Sequence, residues 1–471
     1  MAIARITDQI VRVMDDTQSG ARELLEPVLR IGVTGLSRAG KTVFITSLIA
    51  NMLDRARMPQ LSAGAQGRIE AAFLQPQPDD TLPRFAYEAH LRALLSPAPH
   101  WPESTSSISQ LRLSLRSRPK GLFRGLRGAR VLHVDIIDYP GEWLLDLPLL
   151  KMSYAEWSKK ALEQAQSREA LAAEWLALSE NQDPQSALEE AEAQKLAEAF
   201  TAYLDAAKSA GFANCAPGRF LLPGDLAGSP ALTFAPLGRP EKPRRGSLYR
   251  AFERRFEAYK SQIVKPFFRQ HFSKLDRQIV LVDALGAIDT GPAAVQDLRE
   301  ALADILPVFR PGKNRWLSWL TGKKIERILF AATKADHIHH HQHPKLTGFL
   351  EALLQEAKQV ADWKGAKTRV MSLASLRATV EQRASHEGEV LELVRGVLTG
   401  SGKEVALHPG DLPADPARLL EPARTGAQDW PEGLGFDLPE FAPPLPEDKA
   451  PEGLAHIRMD QAAEFLIGDR L

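Results

Sequence analysis

One cysteine, Cys215, in 471 residues leaves the chain no way to close an intrachain disulfide, and a reducing, cytoplasmic setting is expected. Net charge is missing as well. With 59 Lys and Arg against 59 Asp and Glu, no whole-chain field draws the protein to nucleic acid or to an anionic membrane, so partners must be recognised by local patches and no nucleic-acid partner is expected. Long apolar runs are lacking too: none approaches the ~20 residues of a membrane span. The opening stretch MAIARITDQIVRVMDD interrupts its apolar residues with charge before a signal core forms. Any contact with the inner membrane is therefore expected to be peripheral. What is present is ordinary globular material, 44% hydrophobic, enough for two or three compact units or one large domain with an insertion.

Apolar spacing organises the chain. Ile6, Ile10 and Val13 suggest a first helix, Val28 to Val33 a strand, and Val43, Phe44, Leu48, Ile49, Met52 and Leu53 a helix ending at Asp54. Residues 59–84, rich in Pro, Gly and Gln, read as a loop. LRLSLRSR, the turn GLFRGLRG and VLHVDII then predict a hairpin, which makes the sheet partly antiparallel. Composition shifts to Ala, Glu, Lys and Leu over 151–211, where Leu171, Trp175 and Leu178 form one helical stripe and Leu188, Leu196 and Phe200 another, with Asp183-Pro184 as the expected cap between them. Ser247 is the expected start of a helix whose Tyr249, Phe252, Phe256, Tyr259 and Ile263 share one face, with Arg250, Arg254, Arg255 and Lys260 on the other. The apolar runs at 279–285, 325–336 and 368–374, with helices near 293–307 and 345–361, restore a parallel α/β pattern, and a Pro-rich tail (408–455) precedes a short amphipathic end, Met459 to Ile467. The expected divisions are 1–150, a helical insertion over 151–276, 277–390 and a C-terminal extension over 391–471.

Three motifs carry chemistry. GLSRAGKT, residues 35–42, places Gly35, Gly40, Lys41 and Thr42 in the phosphate-loop pattern between an expected strand and an expected helix. Loop amides over Ser37, Arg38, Ala39, Gly40, Lys41, Thr42 and Val43 and the positive helix end favour a phosphate. Lys41 would reach the β- and γ-phosphates and the Thr42 hydroxyl would bind Mg²⁺. DYPG, residues 138–141, puts Asp138 at a strand end suited to Mg²⁺ and leaves the Gly141 amide for a γ-phosphate, with Asp135 as the other candidate carboxylate. Glu142 follows, where many GTPases carry a water-positioning glutamine; a carboxylate there can orient or deprotonate water but repels phosphate unless screened, so slow turnover is expected. TKAD, residues 333–336, offers Asp336 to the N1–H and exocyclic amine of guanine, which adenine cannot match, with Lys334 laid along the purine. Ser372, Leu373 and Ala374 follow the last strand, where the Ala374 amide can meet guanine O6.

In this order, phosphate loop, D-x-x-G, [NT]-K-x-D and S-x-A resemble a Ras-type G domain, and the whole chain, with its DYPGEW and ATKADH strings, is similar to the YcjX-like family of bacterial predicted P-loop GTPases. The resemblance implies a doubly wound α/β P-loop NTPase fold, mostly parallel with one antiparallel strand, carrying a helical insertion and a small C-terminal extension. It also implies GTP or GDP with Mg²⁺ as ligands and a cytoplasmic, stress-associated switch, in some cases paired with a membrane protein. Thr333 stands where the general pattern has Asn. Thr105, in WPESTSSIS, is the expected switch threonine for Mg²⁺ and the γ-phosphate, with Ser104, Ser106 and Ser107 as alternatives.

Other readings remain open at this level: an ATPase or kinase on the same fold, or a nucleotide-binding scaffold that does not hydrolyse. His337, His339, His340, His341 and His343 invite a metal reading, but without acidic ligands at defined spacing a solvated cluster is expected. RPGKNRWLSWLTGKK (310–324) suits a lipid headgroup surface, yet inward-packed tryptophans are expected. Arg38 is a candidate for positive charge supplied in cis, with a solvent-facing side chain as the alternative. The insertion, between D-x-x-G and the next strand, is the expected effector or assembly surface. The sequence leaves the oligomeric state undetermined.

Overall fold

Alternation along the apolar runs separates two buried faces. In β1 (Val28–Gly35), Leu29, Ile31 and Val33 point to one side, as do Leu132, Val134 and Ile136 of β4 (Arg130–Asp138) and Ile279 and Leu281 of β5 (Arg277–Val282). Val280 and Val282 of β5 point to the other side, with Ile328, Phe330 and Ala332 of β6 (Arg327–Ala332). The computed structural model describes residues 26–36, 38–76, 79–103, 105–118, 129–309, 325–359, 366–386, 389–445 and 453–471. The expected N-terminal helix, the GLFRGLRG turn and the tryptophan-bearing stretch 310–324 lie outside them.

Among the described residues seven strands form one sheet in the order β2-β3-β4-β1-β5-β6-β7, where β2 is Ile69–Gln75, β3 Ser109–Ser117 and β7 Lys367–Ser372. β1 pairs in parallel with both β4 and β5, and β5, β6 and β7 continue in parallel. Only β3 runs against the rest, antiparallel to both β2 and β4, which is the mostly parallel arrangement expected. β2 falls within the stretch expected to be a loop. Its composition concealed a strand because it lies at the sheet edge and buries fully only Ile69, leaving Phe73 exposed.

One face of the sheet is covered by α1 (Lys41–Asp54), and Tyr87 of α2 (Tyr87–Leu95) and residues of the C-terminal helix Met459–Ile467 join the same core. That terminal helix is tied down through Arg277, fully buried, which donates to the Leu466 carbonyl at 2.6 Å and to Asp469. Among the described residues, no helix is long and apolar enough to cross a membrane.

The other face carries the insertion. Its long helices are α3 (Tyr154–Gln166), α4 (Glu169–Glu180), α5 (Glu190–Ser209) and α6 (Leu248–Tyr259). A capping box at Ser153 and Glu156 starts α3, and Ser247 caps α6 as expected. The aromatic stripe of α6 faces inward, with Trp157 stacked on Phe256 at 5.0 Å between ring centroids. Its basic face is partly recruited: Arg255 is buried against the Thr233 carbonyl and Lys260 donates to Met152, while Arg250 and Arg254 remain exposed. Asp183-Pro184 does not open a helix, because the Pro184 and Ser186 carbonyls accept from Tyr249 and Leu248 at the start of α6, and α5 begins at Glu190. The apolar cluster runs without a break from the insertion into the sheet, through α8 (Pro292–Ile305), which follows α7 (Ala284–Thr290), and α9 (His343–Gln359). Beyond β7 a small antiparallel sheet, β8 (Val380–His386), β9 (Glu389–Val397) and β10 (Glu404–Leu407), precedes helix α10 (Ala417–Thr425) and the terminal helix, α11.

Cys215 and Asp146 are among the titratable groups deep in this core. Cys215 is buried, which pushes its thiol up to about 12 and keeps it neutral. Asp146 accepts from Tyr259 Oη and from the Gly218 amide, each at 2.7 Å, yet burial raises it to about 7. A carboxyl raised on folding contributes stability below its unfolded range that is lost as pH rises through the folded value. Thermal unfolding should therefore show a midpoint falling as pH rises from about 4 to about 7, with a shallower slope in Asp146→Asn; equal slopes would refute the assignment.

Candidate functional site

The chain turns from β1 into α1 through backbone that most residues avoid. Arg38 and Gly40 adopt φ of 59° and 74°, the Ala39 amide donates back to Leu36 at 3.2 Å, and α1 then starts at Lys41. The loop amides therefore end at a helix N-terminus. Lys41 Nζ rests 3.5 Å from the Gly35 carbonyl, held only loosely. Ser37 lies outside the described residues; Arg38, Ala39, Gly40, Lys41, Thr42 and Val43 all line a cleft of about 370 Å³.

At one end of the cleft three oxygen-bearing side chains meet. Thr105 donates to Asp138 Oδ2 at 2.6 Å, and its hydroxyl lies 3.3 Å from that of Thr42. Thr105 is thus the threonine that converges with Thr42 and Asp138, whereas Ser106 and Ser107 are exposed and Ser104 lies outside the described residues. Asp135, the rival carboxylate, is held by Nε and Nη2 of Arg112 at 2.6 and 2.9 Å. Burial raises the Asp138 carboxyl to about 6, against the opposing pull of Lys41 and Thr105, and its Oδ1 is buried without a hydrogen-bond partner among the described residues. An unmatched carboxylate oxygen beside two hydroxyls is a donor set that fits a hard dication such as Mg²⁺.

Gly141 is where the strand end meets the phosphate loop. A Cβ added there would stand 1.6 Å from the Gly35 carbonyl oxygen, so this backbone approach accepts glycine alone. Glu142 is buried beside it and paired with Lys208 Nζ of α5 at 2.8 Å. Burial would raise this carboxyl, but Lys41 and Lys208 outweigh it and hold Glu142 below its ordinary value. Positive charge beside Glu142 thus comes from Lys41 of the loop and from Lys208 of the insertion.

The far end of the cleft is built by TKAD. Lys334 sits at φ 58° and donates to Asp283 at 2.6 Å; burial would lower its ammonium, and Asp283 raises it. Thr333, in the place of Asn, donates its amide to the Val282 carbonyl at 3.0 Å. Asp336 lines the cleft, with Oδ2 accepting from the Ala378 amide at 2.7 Å and its carbonyl accepting from the Thr379 hydroxyl. His343 Nε2 donates to the Ala335 carbonyl at 2.7 Å and steadies the same loop.

The S-x-A expectation needs correction. Ala374 exchanges backbone hydrogen bonds with Ile457, donating at 3.1 Å, and Ser372 is held by Arg458 and Thr347, so Ser372, Leu373 and Ala374 do not line the cleft. Ser375, Leu376 and Ala378 line it instead. Arg38 turns outward to Glu440 at 3.5 Å, a pair more than half exposed and therefore weak.

With this geometry in view, comparison with known proteins gives a consistent result. The profile of the YcjX-like family, DUF463, matches residues 29–471. The chain belongs to that family. It is 38% identical to the "Ras-like GTPase YcjX" of Escherichia coli K12 over 460 residues, covering 94% of this chain and 96% of that protein. With the protein of the same name from Shewanella oneidensis it shares 34% over 487 residues, 98% of each.

Sequence reasoning missed several residues in and beside the cleft. Asp283 had a visible signal, a carboxylate at the end of the apolar run IVLVDAL. Lys208, Trp101 and Phe441 had none, because their places depend on packing across the chain. Trp101 Nε1 donates to the Phe441 carbonyl at 2.8 Å, and both side chains wall the cleft. Gly141→Ala should cost about 1–3 kcal/mol of local fit, about a tenfold to hundredfold loss of nucleotide affinity, with far-UV dichroism preserved; unchanged affinity would show that the Gly35 contact is not needed.

Proposed function

We propose that this protein binds GTP and GDP with Mg²⁺ and hydrolyses GTP slowly, as a nucleotide switch. The observation that carries the reading is the convergence of Thr42, Thr105 and the orphaned Asp138 oxygen at one end of a cleft whose other end holds Asp336. The name of the relatives, Ras-like GTPase, points the same way. When bound, Mg²⁺ supplies positive charge against the phosphates.

The chain's own residues do the rest. Amides from Arg38 to Val43 and the start of α1 hold the phosphates, and Lys41, poorly bound in their absence, turns to them. Asp336 reads N1–H and the exocyclic amine of guanine, and the Ala378 bond fixes its orientation. Lys334, Trp101 and Phe441 supply apolar surface to the purine. Glu142 orients the attacking water, and Lys208 keeps its charge from repelling the γ-phosphate. Because Lys208 belongs to α5, a change at Glu142 on loss of that phosphate is felt in the insertion, which we take as the effector surface.

Titration with GDP, GTP, ADP and ATP, with and without Mg²⁺, should give preference for guanine; equal affinity for adenine nucleotides would favour the ATPase reading. Asp336→Asn should move the preference toward xanthine nucleotides, since xanthine carries a carbonyl where guanine has its amine; retained guanine preference would place the base elsewhere. Glu142→Ala should slow single-turnover hydrolysis by about a hundredfold or more while GDP affinity changes little. An unaltered rate would remove Glu142 from the chemistry.

A further inference from the structure

The loop beyond Asp336 folds into a tight turn, and there the structure supplies what the histidine run lacked in sequence. His339, His340 and His341 crowd together with ring centroids 4.4, 4.8 and 4.1 Å apart, and each offers a nitrogen within 4.8 Å of the others. Two carboxylates reach them from the β8–β9 hairpin. Arg383 of β8 pairs with Glu392 of β9, so Glu381, two residues earlier, projects from the same face as Glu392.

Glu381 Oε2 lies 2.7 Å from His340 Nδ1 and 3.6 Å from His339 Nε2, and its Oε1 accepts from the His340 amide at 3.0 Å. Glu392 Oε1 lies 2.8 Å from His341 Nδ1, and its Oε2 3.2 Å from His339 Nδ1. His339 is buried, and its Nδ1 makes no hydrogen bond among the described residues. The two carboxylates also face guanidiniums, Arg377 at 4.0 Å from Glu381 and Arg383 at 3.6 Å from Glu392, longer than their shortest contacts with the histidines.

We propose that His339, His340 and His341, supported by Glu381 and Glu392, bind one divalent transition-metal ion of the zinc class. Imidazole nitrogens select such an ion over Mg²⁺ or Ca²⁺, which take oxygen donors. A carboxylate accepting the Nδ1–H of His340 or His341 fixes the tautomer that leaves Nε2 free for a cation, the carboxylate–histidine–metal arrangement. The site shares no residue with the lining of the nucleotide cleft. It joins the loop after Asp336 to the hairpin that begins just after Thr379, so the ion acts as a cross-link.

The test uses the full chain without a histidine tag, stripped by a chelator and titrated with Zn²⁺ against a chromophoric competitor, with Co²⁺ absorbance as a second readout. One equivalent should bind, with a visible Co²⁺ band. The double variant His340→Ala/His341→Ala should lose both; these side chains are 52% and 53% exposed, so folding should survive, as thermal unfolding will check. Glu392→Gln should weaken Zn²⁺ by about tenfold or more. His90→Ala/His100→Ala should bind as the unsubstituted chain does. Binding that is absent, or that persists undiminished in His340→Ala/His341→Ala, overturns the proposal.

Discussion

Because β1 hydrogen-bonds in parallel to β4 on one side and to β5 on the other, with Val33 level with Asp138 and Gly35 level with Leu281, three loops leave the sheet at the same end and at nearly the same height. The phosphate loop, Asp138-Tyr139-Pro140-Gly141 and Asp283 are neighbours for that reason alone. β6, in register with β5 through Val282 and Ala332, delivers Thr333 and Lys334 to the same rim, where Lys334 finds Asp283. A shift of one residue in the β1–β4 ladder would turn Asp138 to the opposite face of the sheet. The site is thus a consequence of strand register before it is a matter of side chains, as expected where a parallel sheet reverses its winding direction.

Charge is handled by pairing within this rim. Asp135 takes Arg112, Lys334 takes Asp283 and Glu142 takes Lys208, each partly or wholly out of water. Burying one member alone would cost several kcal/mol, so the pairs fix geometry even where their net stabilisation is small. Asp138 takes no ion pair of this kind among the described residues: its Oδ2 accepts from Thr105, and its Oδ1 is buried unmatched.

Local signals in the sequence revealed the site to the extent that local chemistry defines it. GLSRAGKT had to precede a helix and follow a strand, and it does; Thr105 and Asp336 line the cleft and Asp138 lies behind Thr105, each within a few residues of a strand end. Where the chain's own long-range packing decides, pattern gave no purchase. β7 ends at Ser372, and the next residues are drawn into a bridge with Ile457, which moves the cleft-lining stretch to Ser375 and Leu376. β2 was hidden because an edge strand that buries little need not alternate strongly. The acidic partners of the histidine run come from a hairpin forty residues downstream, roughly, and no spacing rule within the run points to them.

Phe441 offers a last consequence. Its carbonyl holds Trp101, its ring meets His337 edge-on at 5.1 Å, and its strand-like segment is pinned to the end of β9 through the Ala442 amide and the Val397 carbonyl. One wall of the cleft is therefore made from chain synthesised long after the phosphate loop has left the ribosome. A growing polypeptide possesses the loop, Asp138 and Asp336 in turn, and gains this wall of the cleft last, once residue 441 has emerged and its neighbour Ala442 can pair with Val397 of β9.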